Sequence, residues 1–193
     1  MLRKALITIL AIAPFSSAIG AALDLRLGSK MAEVNYMMQD ATFGYGGADM
    51  SLGVFLNEND DVLATGSILV SGSSAGDVNG LHFGVGAKVY AGVLEFPSPK
   101  ENQEGAAIAI GGQARYIFSG KTHMAILIEG FYAPAVASLS DFEGTTEVRL
   151  AFELEVTPSA RAYVGYRKLD FDLNNNIDRE LDDKAHIGVR FAF

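Results

Sequence analysis

The sequence has no cysteine, no tryptophan and only three histidines among 193 residues. Without cysteine, the chain has no disulfide scaffold, no cysteine-ligated zinc, no iron–sulfur cluster and no thiol nucleophile. Basic residues are also few, with 15 Lys and Arg against 23 Asp and Glu and a net charge of -8. Because phosphate groups are bound by clustered Lys and Arg, this balance argues against a nucleic-acid partner.

Helical periodicity is missing as well. From Ala22 onward no segment has apolar residues at helical spacing, and the 21 glycines are spread through the apolar stretches, where they would weaken a helix. Hydrophobic residues nevertheless make up 49% of the chain, which excludes a disordered tail. The length suits one domain, and we expect that domain to be all-β.

The first residues have the layout of a secretory signal peptide. Arg3 and Lys4 precede an apolar run over 5–15, and small residues follow over 16–22. A membrane anchor is the alternative, because the next charge is Asp24. Proline, serine and glycine within that run make it a poor spanning helix.

We therefore predict that residues 1–21 are a signal peptide, cleaved between about residues 20 and 22, and that residues 22–193 are the mature domain. Removing Arg3 and Lys4 leaves 13 basic against 23 acidic residues, so the exported chain has a net charge near -10.

The mature chain alternates between apolar and polar residues with a period of two, as β-strands do. The clearest example is 147–156, where one face is wholly apolar and the other is mostly charged. Similar alternation predicts strands over 81–90, 108–116, 123–132, 161–167 and 184–193. Less regular patterns predict strands over 50–56, 62–70, 23–27 and 32–38. Eight strands lie from residue 50 onward, and the two ranges before residue 40 would make ten, so we expect eight to ten strands.

Three features favour a closed antiparallel up-and-down transmembrane barrel over a soluble sandwich. Aromatic residues lie near the ends of the apolar faces, as at membrane interfaces, namely Tyr116, Phe118, Phe191 and Phe193 at one end and Tyr132 and Tyr166 at the other. The chain ends on its last strand with Phe193. The opposite faces carry too many mixed charges for a dry sandwich core and suit a narrow lumen.

The charged faces are expected to line that lumen. They contain His82, Lys88, Arg115, Glu129, Glu147, Arg149, Glu153, Glu155, Arg161, Arg167, Lys184, His186 and Arg190.

The connections also suggest this layout, with short turns on one side and long loops on the other. Tight turns are predicted at 119–121 and 157–159, and long polar or acidic loops at 93–104, 133–144 and 170–183. The segment 71–79 falls on the short side and is longer than expected.

A turn centred on Pro158 pairs positions whose numbers sum to 316. Glu155 then faces Arg161, and Arg149 faces Arg167. The second pair is repulsive unless Glu147 or Glu153 bridges it from a diagonal position.

Four segments carry a family resemblance: GLHFGVGAKVYAG at 80–92, GFYAP at 130–134, RAYVGYR at 161–167 and HIGVRFAF at 186–193. They resemble the YfaZ family of bacterial outer-membrane proteins over most of the mature chain, most clearly from Asn59 onward. Phe193 resembles the terminal signal by which such barrels are recognised for assembly. The resemblance implies an outer-membrane location in a Gram-negative bacterium and brings no catalytic residues with it. The absence of tryptophan departs from many such barrels.

We find no convincing catalytic, cofactor or metal site. His82, His123 and His186 lie on inward faces without a serine two positions away, although a partner from another strand is conceivable. Glu153 and Glu155 have a spacing of about 6.7 Å that suits acid and base carboxylates, but with Arg161 opposite a structural charge cluster is favoured.

An acidic segment between residues 170 and 178 has oxygen-bearing side chains at every second position. It lacks the glycine and the closing glutamate of a calcium loop, so we interpret it as a solvated loop. Such loops could still gather divalent cations that bridge anionic lipopolysaccharide.

The sequence thus predicts a non-catalytic outer-membrane barrel, structural or interacting with ligands and partners through its acidic extracellular loops. Its expected partners are outer-membrane lipids, lipopolysaccharide and, through the last strand, the barrel-assembly machinery. The alternatives are a lipid- or glycan-modifying enzyme and a narrow channel.

Overall fold

The computed structural model describes residues 20–40, 47–73, 80–96, 102–120, 123–174 and 177–193. This part of the chain is almost entirely β-structure, with one short 3-10 helix at Ala135–Ala137. The strands are β1 Gly20–Gly28, β2 Met31–Asp40, β3 Ala48–Asn57, β4 Val62–Ser73, β5 Leu81–Leu94, β6 Gln103–Phe118, β7 Met124–Ala133, β8 Ser138–Ser140, β9 Phe142–Thr157, β10 Ala160–Leu173 and β11 Ile177–Ala192.

Ten of these strands form a closed antiparallel barrel. Each pairs with its neighbours along the chain, β7 pairs with β9, and the ring closes where β1 pairs with β11. The short β8 lies in the connection from β7 to β9 and pairs with β6. Closure leaves no open sheet, so the sandwich alternative is wrong and the predicted range of eight to ten strands resolves to ten.

The predicted register across the 157–159 turn is confirmed. Arg161 pairs with Glu155 and Arg167 pairs with Arg149 in the β9–β10 hairpin. The outward alternation is confirmed as well, because Leu150, Val164 and Ile187 are exposed on the barrel surface. Each of the six expected interface aromatics is at least partly exposed: Tyr116, Phe118, Tyr132, Tyr166, Phe191 and Phe193.

Of the thirteen residues predicted to face inward, six are buried and five are partly buried. The buried ones are Lys88, Glu147, Arg149, Glu153, Arg167 and His186, each with at most 9% of its surface exposed. His82 and Lys184 differ, because they are exposed. β1 ends at Gly28, which pairs with His186. Residues 177–185 of β11 therefore have no strand partner on the side of β1.

The loop predicted at 170–183 is wrong, because β10 and β11 continue through it as a paired hairpin to Leu173 and Ile177. The polarity of the two faces inverts in this extension. Leu169, Phe171 and Leu173 are buried, whereas Lys168 and Asp172 on the other face are exposed. The acidic residues that suggested a loop therefore form the wet face of strands, with apolar residues packed behind them.

The other two predicted loops are shorter than expected. β5 continues to Leu94 and β6 begins at Gln103, so much of 93–104 is connection but its ends are strand. The range 133–144 contains the 3-10 helix, β8 and the start of β9. The polar residues of these segments again belong partly to paired strands.

Connection length does not separate the two ends of the barrel, so that argument is wrong. The end holding the three predicted loops, here called the loop end, also has tight connections at 29–30 and 58–61. At the opposite end, here called the turn end, the 158–159 turn is tight as predicted. β4 continues to Ser73, which accounts for part of the unexpectedly long 71–79, and residues 74–79 lie outside the described part.

The predicted signal peptide lies almost wholly outside the described residues, which begin at Gly20 with β1. The expected cleavage position therefore coincides with the start of the first strand. Among the described residues there is no helix long and apolar enough to cross a membrane.

Candidate functional site

The barrel interior at the loop end is filled by a buried cluster of apolar side chains, which we call the apolar plug. Its large members are Met31, Phe55, Leu63, Leu69, Tyr90, Leu94, Phe131, Phe142, Leu169, Phe171, Leu173 and Leu181. Phe171 lies at its centre, with ring centroids 5.7 Å from Tyr90 and 4.8 Å from Phe142. This end of the lumen is therefore packed like the core of a soluble protein.

A buried ion pair holds the β10–β11 hairpin over the plug. Arg179 Nη2 donates to both carboxylate oxygens of Asp61, at 3.1 and 2.9 Å, and to the carbonyl of Glu95 at 3.1 Å. Its guanidinium lies 4.8 Å from the ring of Phe96. The hairpin is thus tied to the β3–β4 turn and to the end of β5.

Below the plug lies a connected set of buried charges, which we call the central network. It contains four basic and four acidic residues, namely Arg26, Lys88, Arg149 and Arg167 with Glu33, Glu129, Glu147 and Asp182. Equal numbers of each sign compensate one another where water is excluded.

Glu33 joins three strands in this network. It accepts hydrogen bonds from Arg26 at 2.9 Å, Arg167 at 2.5 Å and Asn35 at 2.9 Å. Arg167 also donates to Asp182 at 3.0 Å. The inward residues predicted from the sequence did not include Arg26 and Glu33. These two pair across the neighbouring strands β1 and β2, whereas Arg167 is 134 residues from Glu33 and reaches it only because the barrel closes.

Glu147 in β9 connects the central network to β5 across the lumen. It accepts from Lys88 at 2.6 Å and from the hydroxyl of Tyr90, and it lies 3.7 Å from Arg167. The predicted diagonal bridge between Glu147 and the Arg149–Arg167 pair is therefore present on the Arg167 side. Arg149 is left with Glu129, at 3.6 Å and without a hydrogen bond.

A second set of charges lies nearer the turn end. Arg190 binds Asp24 at 3.0 Å and lies 3.6 Å from Glu153, which also binds Arg115 at 3.3 Å. Tyr163 donates its hydroxyl to Asp24 at 2.6 Å. Glu153 is thus engaged by two arginines, which fits a structural charge cluster.

Glu155 is engaged in the same way, 3.9 Å from Arg161 and 3.7 Å from His123. The two carboxylates that were weighed as an acid–base pair each face cations, and neither faces the other. His123 itself precedes β7, and most of its side chain is exposed.

Between these charges and the turn end lies a cavity of about 1110 Å³, which we call the turn-end cavity. Its mouth is framed by Ala22, Ser159 and Phe193, and its floor reaches Lys88 and Glu129. Six basic side chains line it, namely Arg26, Lys88, Arg115, Arg149, Arg161 and Arg190, against the acidic Asp24, Asp49 and Glu129. Acids behind the lining, namely Glu33, Glu147 and Glu153, pair with four of these bases.

Beside Asp24 and Arg149, two residues of the cavity lining, the chain makes a close approach at Gly188. A Cβ built there would lie 2.2 Å from the ring of Tyr163. The ring therefore covers Gly188, with its hydroxyl on Asp24 and the guanidinium of Arg149 at 5.2 Å from its centroid. A side chain at this position would displace the ring from both.

The structure places His82 at the cavity near Ser71 and Asp49. Sequence alone did not reveal this cross-strand grouping, because the serine belongs to β4. Ser71 donates directly to Asp49 at 2.5 Å, and among the described residues no hydrogen bond joins His82 to either. A nucleophilic triad needs the histidine between serine and acid, so the three residues do not have that arrangement.

His186 is buried, as predicted, but lies away from the cavity lining. Its ring is edge-on to Tyr163 at 6.0 Å, and among the described residues neither ring nitrogen has a hydrogen-bond partner.

The acidic segment near residues 170–178 does not form a cation-binding loop in the structure. Asp172 and Asp178 are direct partners across β10 and β11. In the described part of the chain, no group of three or more His, Cys, Asp or Glu side chains is arranged to hold a metal ion.

Comparison with known proteins identifies the family. The profile described as YfaZ precursor matches residues 5–193, which is nearly the whole chain. No curated protein matches the chain. A solved structure from work on the in-meso crystallization of membrane proteins aligns with 91% of this chain and 83% of its own, at 10% identity and a TM-score of 0.42.

The ten-strand barrel is established by this chain's own strand pairing. The family match, in contrast, covers the signal-like segment and every barrel strand. The chain therefore belongs to the YfaZ family.

Proposed function

We propose that this protein is a small integral outer-membrane barrel of a Gram-negative bacterium, without catalytic activity, that interacts with ligands or partners at its two ends. The observation that carries the proposal is the distribution of polarity on the closed barrel. Apolar side chains cover the outside, and paired charges lie inside between the apolar plug and the turn-end cavity. In water the apolar outer surface would be unfavourable. In a bilayer that surface contacts lipid, while the charges stay inside the barrel and away from the lipid.

The height of the apolar surface fits a membrane. On β9 it extends from Val148 to Val156, which is about 26 Å along the strand at a rise of about 3.3 Å per residue. At the usual tilt of about 40° that is about 20 Å, near the apolar band of about 25 Å in outer-membrane barrels. Tyr132 and Tyr166 mark its upper edge, where amphipathic rings favour the interface.

Above this belt the barrel projects as an extension that suits water. On β10 the outer face changes from Val164 and Tyr166 to Lys168, Asp170 and Asp172. We propose that this extension is extracellular and that its acidic rim is the contact surface for lipopolysaccharide and other partners. Among the described residues, the exposed acidic residues of the rim are Glu58, Asp60, Glu95, Glu104, Glu143, Asp172, Asp178 and Glu180.

The last strand supports the proposed route of assembly. β11 ends at Ala192, and Phe193, 59% exposed, follows it at the turn end. We propose that this exposed terminal phenylalanine is the signal read by the barrel-assembly machinery.

The channel alternative is less favoured, because the apolar plug fills the loop end of the lumen. An enzyme using His82 is less favoured too, because Ser71 bonds directly to Asp49. Barrels of this size have interiors filled by side chains, which supports a structural or binding role.

Migration in SDS gels tests the proposal. A membrane barrel whose backbone hydrogen bonds are all internal often resists SDS until it is boiled, so the unboiled and boiled protein should differ in mobility. The protein should also sediment with the outer-membrane fraction. Equal mobility together with solubility after removal of the signal peptide would contradict the proposal.

A further inference from the structure

Arg149 differs from the other basic side chains of the turn-end cavity. Arg26, Lys88, Arg115 and Arg190 each donate a hydrogen bond to a carboxylate, and Arg161 is largely exposed at the mouth. Arg149 is 4% exposed, and its Nε and Nη2 have no hydrogen-bond partner in the described part of the chain.

The neighbours of Arg149 fix its position without satisfying its donors. Glu129 is 3.6 Å from Nη1, too far for a hydrogen bond, and it is shared with Lys88 at 3.8 Å. Tyr163 contributes only the face of its ring. Leaving charged donors unpaired in a buried site is costly, so the arrangement calls for an acceptor.

The cavity offers space for a ligand that carries such an acceptor. Its volume of about 1110 Å³ exceeds that of a simple ion, and Met37, Leu69, Leu127 and Phe131 contribute apolar wall. Leu127 pairs with Ala151 two residues from Arg149, so apolar wall adjoins the guanidinium. Ligand sites typically combine mostly apolar walls with a few convergent polar groups.

We propose that the turn-end cavity binds an organic anion, with a carboxylate or phosphate monoester on Arg149 and an apolar body along Leu127 and Phe131. The planar guanidinium presents Nε and Nη2 side by side, which suits two parallel hydrogen bonds to such a group. This inference rests on the proposed function, since the cavity would open toward the periplasm.

Calorimetric titration of the full-length mature barrel, in nanodiscs of phosphatidylcholine, tests the inference. The probes are octanoate and octyl phosphate, with octanol as the neutral control and inorganic phosphate as the anion without an apolar body. We expect saturable binding of at least one organic anion and no saturable binding of octanol. Comparison of the two anions distinguishes the carboxylate from the phosphate.

The variant Arg149→Gln should weaken the binding of that anion at least tenfold, whereas Arg179→Gln, which removes a buried arginine at the loop end, should leave it unchanged. If Arg149→Gln does not fold, Arg149→Lys keeps the charge and loses the planar fork, and it should weaken binding by a smaller factor. Absence of binding to either anion, or binding unaffected by Arg149 variants, would overturn the inference.

The same sample separates this inference from the proposed function. A boiling-dependent shift in gel mobility without ligand binding would overturn the anion site alone. A soluble protein without the shift would overturn the membrane barrel itself.

Discussion

Arg149 and Arg167 are direct partners across β9 and β10, yet their guanidinium groups have different surroundings. Arg167 contacts Glu33, Asp182 and Glu147. Among the described residues, the only acidic partner of Arg149 is Glu129, at 3.6 Å. The barrel therefore gives one member of a like-charged pair three acidic partners and the other a single, more distant one.

Loss of the acid at the centre of the network should destabilise the barrel strongly. In Glu33→Gln, Arg26 and Arg167 lose their shared negative partner in a buried site, so we expect a loss of about 3–5 kcal/mol. Urea unfolding in lipid vesicles, followed by far-ultraviolet circular dichroism, measures the change. Glu58→Gln removes the exposed pair with Lys30 and should change stability by about 0–1 kcal/mol. Equal effects of the two variants would contradict the central network.

The outer face of β10 should tolerate charge above the belt and not within it. Val164→Lys places a cation where we expect hydrocarbon and should cost about 2–4 kcal/mol if the residue lies near the midplane. Asp172→Lys, on the same face of the same strand, should cost far less because its surroundings are aqueous. The same vesicle unfolding assay compares them. A Val164→Lys variant as stable as Asp172→Lys would contradict the proposed position of the membrane.

The apolar plug should be a major source of stability at the loop end. Phe171 is fully buried among Tyr90 and Phe142, so Phe171→Ala should cost about 3–5 kcal/mol through the cavity it leaves. The exposed Tyr132 provides a control, since Tyr132→Ala removes an aromatic ring from the surface and should cost less. A negligible effect of Phe171→Ala would mean that the plug is not packed.

Planar-bilayer recordings test whether the plug closes the lumen. We expect no steady conductance from the wild-type protein, because the loop end is filled by apolar side chains. Defined unitary currents from purified protein, reproducible across preparations, would favour the channel alternative.

Gly188 provides a test of the packing between Tyr163 and β11. In Gly188→Ala the added methyl group would displace the ring of Tyr163 and with it the hydrogen bond to Asp24, and we expect a loss of about 1–3 kcal/mol. Gly72→Ala in β4 is the matched control, since nothing lies within 4 Å of the Cβ built there. Melting of the two variants by circular dichroism gives the comparison, and indistinguishable curves would contradict the close approach.

Much of the barrel could be predicted because a strand repeats its facing every second residue. The outward positions of Leu150 and Ile187 follow from that period, and the Glu155–Arg161 register follows from a tight turn at Pro158. Both properties are local in sequence.

The strand extension at the loop end was missed because its two faces exchange polarity. The alternation keeps its period of two, but apolar residues move to the inner face and charged residues to the outer face. After Arg167, the inward positions become Leu169 and Phe171, and the outward positions become acidic. The polar content of this segment suggests a loop. The alternation of polar and apolar residues in KLDFDL at 168–173 nevertheless indicates a strand.

The turn-end cavity could not be derived from the sequence. Arg149, in its lining, lacks close acidic partners because Glu33, Asp182 and Glu147 all contact Arg167 instead. Those partners come from three separate strands, and only the closed ring determines which acid reaches which base.

The environment of the outer face can be measured directly, because a chain without cysteine allows single labelling sites. Val164→Cys and Asp172→Cys, each carrying a spin label in lipid bilayers, compare two positions on one face of β10. We predict that the label at position 164 is relaxed mainly by oxygen dissolved in the lipid, and the label at position 172 mainly by a water-soluble nickel complex. Strong relaxation of the label at 164 by the nickel complex would contradict the claim that this face lies against hydrocarbon.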